Sequence, residues 1–330
     1  TLTVVKDQNL SASNTLTFSQ VALPAPPAKT PIQGYTGGQT RYAFAFEADT
    51  GQELYSLNAD TVYYYPASTT KLMTALLIWE YKNANLTDSV SIVSADTSFA
   101  LGGVSQLGYS NGDVTNWEDI LIAIFVASAS EACQAAARII GTEIYVANGS
   151  TGNTGMTRFY ERMNERAGEL GMTNTSYYDS WGESRLSGNT RNTITARDLS
   201  KVAYEALSIA GLRAYAMMPD CAITVTGSNP RTMTKSGSTG NANPFINGPT
   251  EGRSNESHPD CLGGKIGEWQ GDGSHLNLAQ MWTAPNGKEV VIVTMNAETY
   301  RALHLDQCAI IYSMVKDWPW LLAGSTPNDP

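Results

Sequence analysis

An α+β domain, with an antiparallel β-sheet flanked by helices, is the fold class this chain predicts, and three observations carry it. Apolar residues alternate with period two near the start ("RYAFAFEADTGQELYSLNAD") and again near the end ("HLNLAQMWTAPNGKEVVIVTMNAE"). Between these stretches the apolar spacing lengthens to that of helices. A last helical run, "YRALHLDQCAIIYSMVKDW", closes the pattern. Strands, then a run of helices, then strands and a helix suit a sheet built from both ends of the chain, with a helical subdomain between them.

Each element has a local cause. Asp49, Thr50 and Gly51 interrupt the first alternating stretch and predict a β-hairpin. "YPASTTKLMTALLIWEY" places the turn-former Pro66 before an apolar run and predicts a helix after Ser68. "NWEDILIAIFVASASEACQAAARIIG" reads as a second helix, opened by capping residues at Thr115 and Asn116 with acids in its first turn. "TRFYERMNERAGELG" ends at Gly171, a natural C-cap. "TARDLSKVAYEALS" starts near Thr195 with Asp198 three residues on, as in a capping box. "CAITVTG" is β-like, and the polar stretch from Gly227 to Asp260 reads as a long loop or elaborated hairpin. Pro285, Asn286 and Gly287 join the two late strands. Residues 1–38, rich in Ser, Thr, Pro and Gly, read as a leader or linker; 39–322 as the folded domain; 323–330 as a tail.

Composition excludes some classes of function. The 330 residues carry a net charge of −10 and lack the clustered Lys and Arg of a nucleic-acid or anionic-membrane surface. No apolar stretch reaches the roughly 18 residues that span a bilayer. The first residues show no basic segment followed by an apolar core, so any signal peptide is expected to have been removed. His258, His275 and His304 are scattered, and no cysteines form a CxxC pair, so no metal and no cofactor are expected. Four cysteines suit two disulfides in an exported protein, or none. Cys221 and Cys261 flank the polar stretch, and adjacent strands could bring them into bridging distance as one disulfide. Cys133 and Cys308 lie in apolar helical runs and read as thiols.

The chemistry starts at Ser68 and Lys71, three apart and on one helix face. A serine hydroxyl needs a base before it becomes a nucleophile at neutral pH. A lysine can be that base when its amine is neutral part of the time, through burial or nearby positive charge. At the first turn of a helix, a backbone N–H is also free to meet an oxyanion. Ser-x-x-Lys alone is common, and a serine at a helix start is most often a cap. Here it is followed by "VASASEA", with Ser128 and Ser130, and then by "CLGGKIGEW", with Lys265, Ile266 and Gly267. S-x-x-K, S-D-N and K-T-G in that order form the signature of β-lactamases and penicillin-binding proteins.

Around these motifs, "FEADTGQELYSLNADTVYYYPASTTKLMTALL", "LGMTNTSYYDSWG" with "TARDLSKVAYEAL", and "GGKIGEWQGDGSHLNLA" resemble the low-molecular-mass penicillin-binding proteins, the serine D-alanyl-D-alanine carboxypeptidases. The resemblance covers roughly residues 40–320 and implies the β-lactamase/transpeptidase-like fold. It implies that Ser68 attacks the carbonyl of the penultimate D-alanine in peptidoglycan stem peptides, Lys71 takes the proton, and Ser128 relays one to the leaving amine. Lys265 would attract the terminal carboxylate. Ser130, Ile266, Gly267 and Glu268 would line the substrate, and the backbone N–H groups of Ser68 and Glu268 would hold the oxyanion. β-Lactams would acylate Ser68, and the protein would act outside the cytoplasm of a bacterium, secreted or anchored to the envelope.

Two positions depart from the family pattern. Ser130 stands where an Asn contacts the substrate amide, and Ile266 stands where a hydroxyl residue meets the carboxylate. Both weaken recognition of substrate and leave the nucleophile intact. Ile266 can also be read as a plain strand residue facing the core. Two alternatives therefore stand beside the carboxypeptidase. One is a catalytically impaired protein of this fold that binds or regulates cell-wall peptide. The other is a β-lactamase, which needs a deacylating glutamate; Glu183 is the loose candidate.

Overall fold

The computed structural model describes residues 3–7, 13–17, 40–99, 104–147, 155–182, 191–247, 258–269 and 275–317. Two short strands, β1 (Thr3–Asp7) and β2 (Ser13–Thr17), pair antiparallel within the segment expected to be a leader. The expected hairpin follows as β3 (Tyr42–Glu47) and β4 (Glu53–Leu57). Gly51 supplies the positive φ of its turn, at 71°, and the Glu47 carboxylate accepts the N–H groups of Asp49 and Thr50.

Helix α1 (Lys71–Lys82) comes next, then short strands β5 (Ser89–Ser91) and β6 (Asp113–Asn116). The long apolar run expected to be one helix is two, α2 (Trp117–Val126) and α3 (Ser130–Ala147). Hydrophobic periodicity runs through the break, so only the backbone reveals it. Helix α4 (Gly155–Glu169) is followed by Gly171, the expected stop, with φ of 67°. Helix α5 (Ala196–Leu207) is capped by Thr195, whose side chain accepts from the Asp198 N–H. The reciprocal half of the box is absent because the Asp198 carboxylate takes the Asn174 N–H, the Thr175 hydroxyl and Lys201 instead. Helix α6 (Ala210–Ala216), the hairpin β7 (Cys221–Gly227) and β8 (Arg231–Lys235), strands β9 (Cys261–Trp269), β10 (His275–Thr283) and β11 (Glu289–Ala297), and helix α7 (Tyr300–Asp317) complete the order.

The main sheet has five antiparallel strands in the order β4-β3-β11-β10-β9, so the two ends of the domain meet at its centre. Its middle strand β11 is buried almost throughout because both faces are covered. One face packs on α5 and the other helices in a large core that includes Leu72, Ile120, Ala132, Leu199, Ala279 and Met281. The other face packs against α7 through Ile266, Leu276, Leu278, Ile292 and Leu303. A second sheet, β5-β6-β7-β8, borders the helical part. Its strand β8 takes Arg231–Lys235 out of the stretch read as a loop or elaborated hairpin.

The cysteine pairing at Cys221 and Cys261 does not form; all four cysteines are free thiols. Cys221 faces Lys235 in the second sheet, whereas Cys261 faces Trp282 in the main sheet and packs in the α7-side core. The two thiols therefore lie in different hydrophobic cores, Cys221 in the one that holds the helices and Cys261 in the one under α7.

Candidate active site

The nucleophile sits in a single 3-10 turn, Ala67–Thr70, that runs directly into α1. Ala67 holds φ at 49°, a left-handed value that an alanine adopts only when its surroundings impose it. The imposing groups come from three directions. From β10, Asn277 Nδ2 donates to the carbonyls of Tyr65 (2.8 Å) and Pro66 (3.3 Å). From β9, Gly267 lies so close that a Cβ there would stand 2.7 Å from the Pro66 carbonyl oxygen and 3.1 Å from the Ser68 nitrogen. From the segment after α4, a Cβ on Gly182 would fall 1.8 Å from the Ala67 carbonyl oxygen. Glycine is required at both positions.

Ser68 is half-buried at the open side of this clamp, and Lys71 is only 1% exposed beneath it. Lys71 Nζ donates to Ser68 Oγ at 2.8 Å and to the Trp181 carbonyl at 2.9 Å. That carbonyl is itself held. The Asp179 carboxylate accepts the N–H groups of Trp181 (2.8 Å) and Gly182 (2.5 Å), and Asn192 accepts those of Tyr178 and Asp179 while donating to Thr70 Oγ1. Sequence reading did not single out Asp179, Trp181 or Asn192. The signal within reach was "YDSWG", quoted for its resemblance but assigned no role.

The break between α2 and α3 makes the second part of the site. Ala129 N–H reaches back to the Ala123 carbonyl, Ser130 N–H crosses to the Ser105 carbonyl, and Ser128 is left with φ of 52°. This turn projects Ser128 out of the helical path, where its Oγ accepts from Lys265 Nζ at 3.1 Å. Lys265 also donates to the Ile266 carbonyl at 2.9 Å and is 2% exposed. Burial, and then the charge of Lys71, hold the Lys265 amine well below the usual lysine range. Cys133, one turn into α3, lies within the field of both lysines, yet burial outweighs them and pushes its thiol up to about 12.

Residues 130 and 131 make no hydrogen bond to the Ser128–Lys265 pair among the described residues. Ser130 is 1% exposed, and its Oγ has no partner among the described residues. Glu131 is fully buried, and one of its oxygens accepts the N–H groups of Leu107, Gly108 and Tyr109, tying that loop to α3.

Strand β9 is the sheet's edge and alternates as pleating requires. Lys265 and Gly267, opposite Ala279 and Asn277, face the nucleophile turn. Ile266, opposite Leu278, faces the other way and is 5% exposed in the α7-side core. The expectation that the Ile266 side chain lines the substrate is therefore corrected: the pleat that presents Lys265 to the site turns residue 266 into the core. Glu268 shares that opposite face, and its carboxylate accepts the Tyr300 hydroxyl at 2.5 Å. Glu183 lies outside the described residues. Among the described residues, no cluster of three or more His, Cys, Asp or Glu is placed to hold a metal ion.

Ser68, Lys71, Ser128 and Lys265 thus converge from α1, the α2–α3 break and β9. They form two hydrogen-bonded lysine–serine pairs beside an edge strand, suited to nucleophilic acyl transfer with internal proton exchange. The Peptidase S11 family model, D-alanyl-D-alanine carboxypeptidase, matches residues 37–299. The chain is 28% identical over 298 residues to the D-alanyl-D-alanine carboxypeptidase of Streptomyces sp. (strain K15), covering 90% of this chain and 91% of that protein. It is 31% identical over 175 residues to D-alanyl-D-alanine carboxypeptidase DacF of Bacillus subtilis (strain 168), covering 52% of this chain and 41% of DacF. The crystal structure of the Streptomyces K15 DD-transpeptidase is similar in fold, with a TM-score of 0.68 at 24% identity, over 84% of this chain and 97% of that one.

Proposed function

The chain belongs to the Peptidase S11 family of D-alanyl-D-alanine carboxypeptidases, and on that premise we propose how its residues divide the reaction. It is a serine peptidase that acts on D-Ala-D-Ala peptides of peptidoglycan and meets β-lactams at the same site. Ser68 Oγ attacks the carbonyl of the penultimate D-alanine and passes its proton to Lys71. The hydrogen bond of 2.8 Å between Lys71 Nζ and Ser68 Oγ is the observation that carries this reading. The oxyanion lies between the edge of β9 at Glu268 N–H and the Ser68 N–H, against which Gly267 permits close approach. As the C–N bond breaks, Ser128 hands a proton to the leaving D-alanine amine and is resupplied through the lysines. Lys265, bonded to Ser128, draws the terminal carboxylate of the substrate toward this end of the site. Water then attacks the acyl-enzyme and regenerates Ser68.

The substrate we assign is the stem peptide ending in D-Ala-D-Ala. The family's substrate lies outside the cytoplasm, and among the described residues no helix is long and apolar enough to cross a membrane. We assign the protein to the exterior of a bacterial cell, secreted or envelope-anchored, with residues 39–322 as its catalytic unit.

The test is intact-mass analysis after incubation with benzylpenicillin, together with release of D-alanine from a D-Ala-D-Ala peptide. One adduct per chain, lost in Ser68→Ala, and measurable D-alanine release are expected. An unlabelled parent would overturn the assignment of Ser68, and a labelled parent that releases no D-alanine would leave a penicillin-binding protein without carboxypeptidase activity.

A further inference from the structure

Ser128 acts from a break between two helices, and the break is pinned from both sides. Toward α2, the N–H groups of Ala127 and Ala129 both reach the Ala123 carbonyl, each at 3.1 Å. Toward α3, the Ser130 N–H reaches the Ser105 carbonyl at 2.9 Å. That second acceptor lies outside both helices, so the pin is only as fixed as the chain that carries Ser105. The φ of 52° at Ser128 is left-handed and persists only where the surroundings hold it.

Two charged side chains hold that chain. Glu131, next to Ser130, is fully buried. One of its oxygens accepts the N–H groups of Leu107 (2.8 Å), Gly108 (2.9 Å) and Tyr109 (3.3 Å). Residues 105–109 are thus fastened to the first turn of α3 both through the Ser105 carbonyl and through these N–H groups. From β8, Arg231 Nη2 donates to the Gly108 carbonyl at 2.7 Å. The same guanidinium grips the fully buried Asp113 carboxylate through two bonds of 2.8 Å, and Asp113 accepts the Ser110 N–H at 2.8 Å. Gly108 is therefore held at its N–H by Glu131 and at its carbonyl by Arg231. Its φ of 117° is one that glycine adopts readily and other residues do not. Charge-assisted hydrogen bonds are the strong kind, and a forked guanidinium–carboxylate pair fixes direction as well as distance.

We propose that Glu131 and Arg231 are positioning residues for Ser128: by gripping residues 105–113 they fix the Ser105 carbonyl, and through it the turn that aims the Ser128 hydroxyl. The proposal rests on Ser128 being the proton donor to the leaving group. Its consequence is confined to one step. When the substrate C–N bond breaks, the nitrogen takes the Ser128 proton and leaves as an amine, and the Ser128 oxygen is reprotonated through Lys265. When the C–S bond of a thiolester breaks instead, sulfur takes the electron pair and leaves as a thiolate, which needs no proton near neutral pH. A misaimed Ser128 slows the amide and spares the thiolester.

The probes are an acyl-D-Ala-D-Ala peptide and the acyl-D-alanyl thioglycolate with the same acyl group, which keeps the terminal carboxylate. For both, kcat/KM is measured beside Tm. Ser128→Ala sets the reference, with a loss on the peptide that far exceeds the loss on the thiolester. In Glu131→Met, which has no oxygen to accept, kcat/KM on the peptide is expected to fall about ten- to hundredfold, the cost of an ångström-scale misplacement. On the thiolester it stays within about threefold of the parent. Glu131→Gln keeps an acceptor and returns the peptide value to within about threefold. Arg231→Met, at a partly exposed site, shows the same selective loss and serves if Glu131→Met fails to fold. With Ser128→Ala selective, equal slowing of both probes, an unchanged peptide rate, or Glu131→Gln as slow as Glu131→Met overturns the positioning role and leaves Ser128 as the donor. A Ser128→Ala variant that treats the two probes alike overturns the donor and its positioning residues together.

Discussion

Replacing Ile266 by threonine puts the family's usual hydroxyl back into the third motif, and the structure makes a definite statement about the result. The side chain at 266 is 5% exposed, opposite Leu278 and within the core that Leu276, Ile292 and Leu303 build under α7. Ile266→Thr removes one methyl and exchanges a methylene for a hydroxyl. At about 0.8 kcal/mol per buried CH₂, the lost burial is about 1.6 kcal/mol. Desolvating a hydroxyl in apolar surroundings adds about 1–3 kcal/mol. The sum, about 3 kcal/mol, corresponds to a drop of roughly 5 °C in Tm for a chain of this size. If the hydroxyl instead met the substrate carboxylate, a charged hydrogen bond worth about 1.5–3 kcal/mol would raise kcat/KM by roughly 10- to 150-fold. Thermal melting and kcat/KM on a D-Ala-D-Ala peptide, measured on the same preparation, separate the cases. The expected result is a lower Tm and no gain in kcat/KM. An unchanged Tm with a tenfold gain, lost when the peptide's carboxylate is amidated, would refute the assignment of residue 266 to the core.

Gly267→Ala drives a Cβ into the backbone at Pro66, Ser68 and Thr69 and must push β9 off the nucleophile turn; acylation should fall on the order of 100-fold with a smaller effect on Tm, and an alanine variant acylated at the parent rate would show that β9 does not set the turn's geometry. Burial holds the Glu131 carboxyl above the usual carboxylate range despite its three N–H donors. The folded chain therefore binds this proton more tightly than the unfolded one, and the stability it contributes is complete below about pH 4.3 and lost as pH rises through the folded value. The Tm of the parent should accordingly fall more between pH 4 and 7 than that of Glu131→Gln, and parallel curves would rule this linkage out. Unreduced, denatured protein should titrate with four thiols, of which Cys133 and Cys261 react slowest in the native state; two missing thiols would mean that Cys221 and Cys261 are bridged after all.

Period and punctuation in the sequence determined the broad outline. The alternation around Asp49–Gly51 and Pro285–Gly287 became two hairpins, and their pairing through β3 and β11 built the sheet from both ends of the chain. The nucleophile and its base were legible too, because three residues on one helix turn bring Ser68 and Lys71 together by local geometry alone. What depended on distant chain was not legible. The α2–α3 break lies inside an unbroken apolar pattern; it exists because the Ser130 N–H finds the Ser105 carbonyl, and it is what projects Ser128 toward Lys265. The clamp on Lys71 through Trp181, Asp179 and Asn192 joins segments about 110 residues apart. The face on which Ile266 lies was decided by the pairing register of β9 with β10, since a shift of one residue would exchange Ile266 with Lys265. Motifs record which groups a site needs at short range; register and packing, which are summed over the whole chain, decide which of those groups reach it.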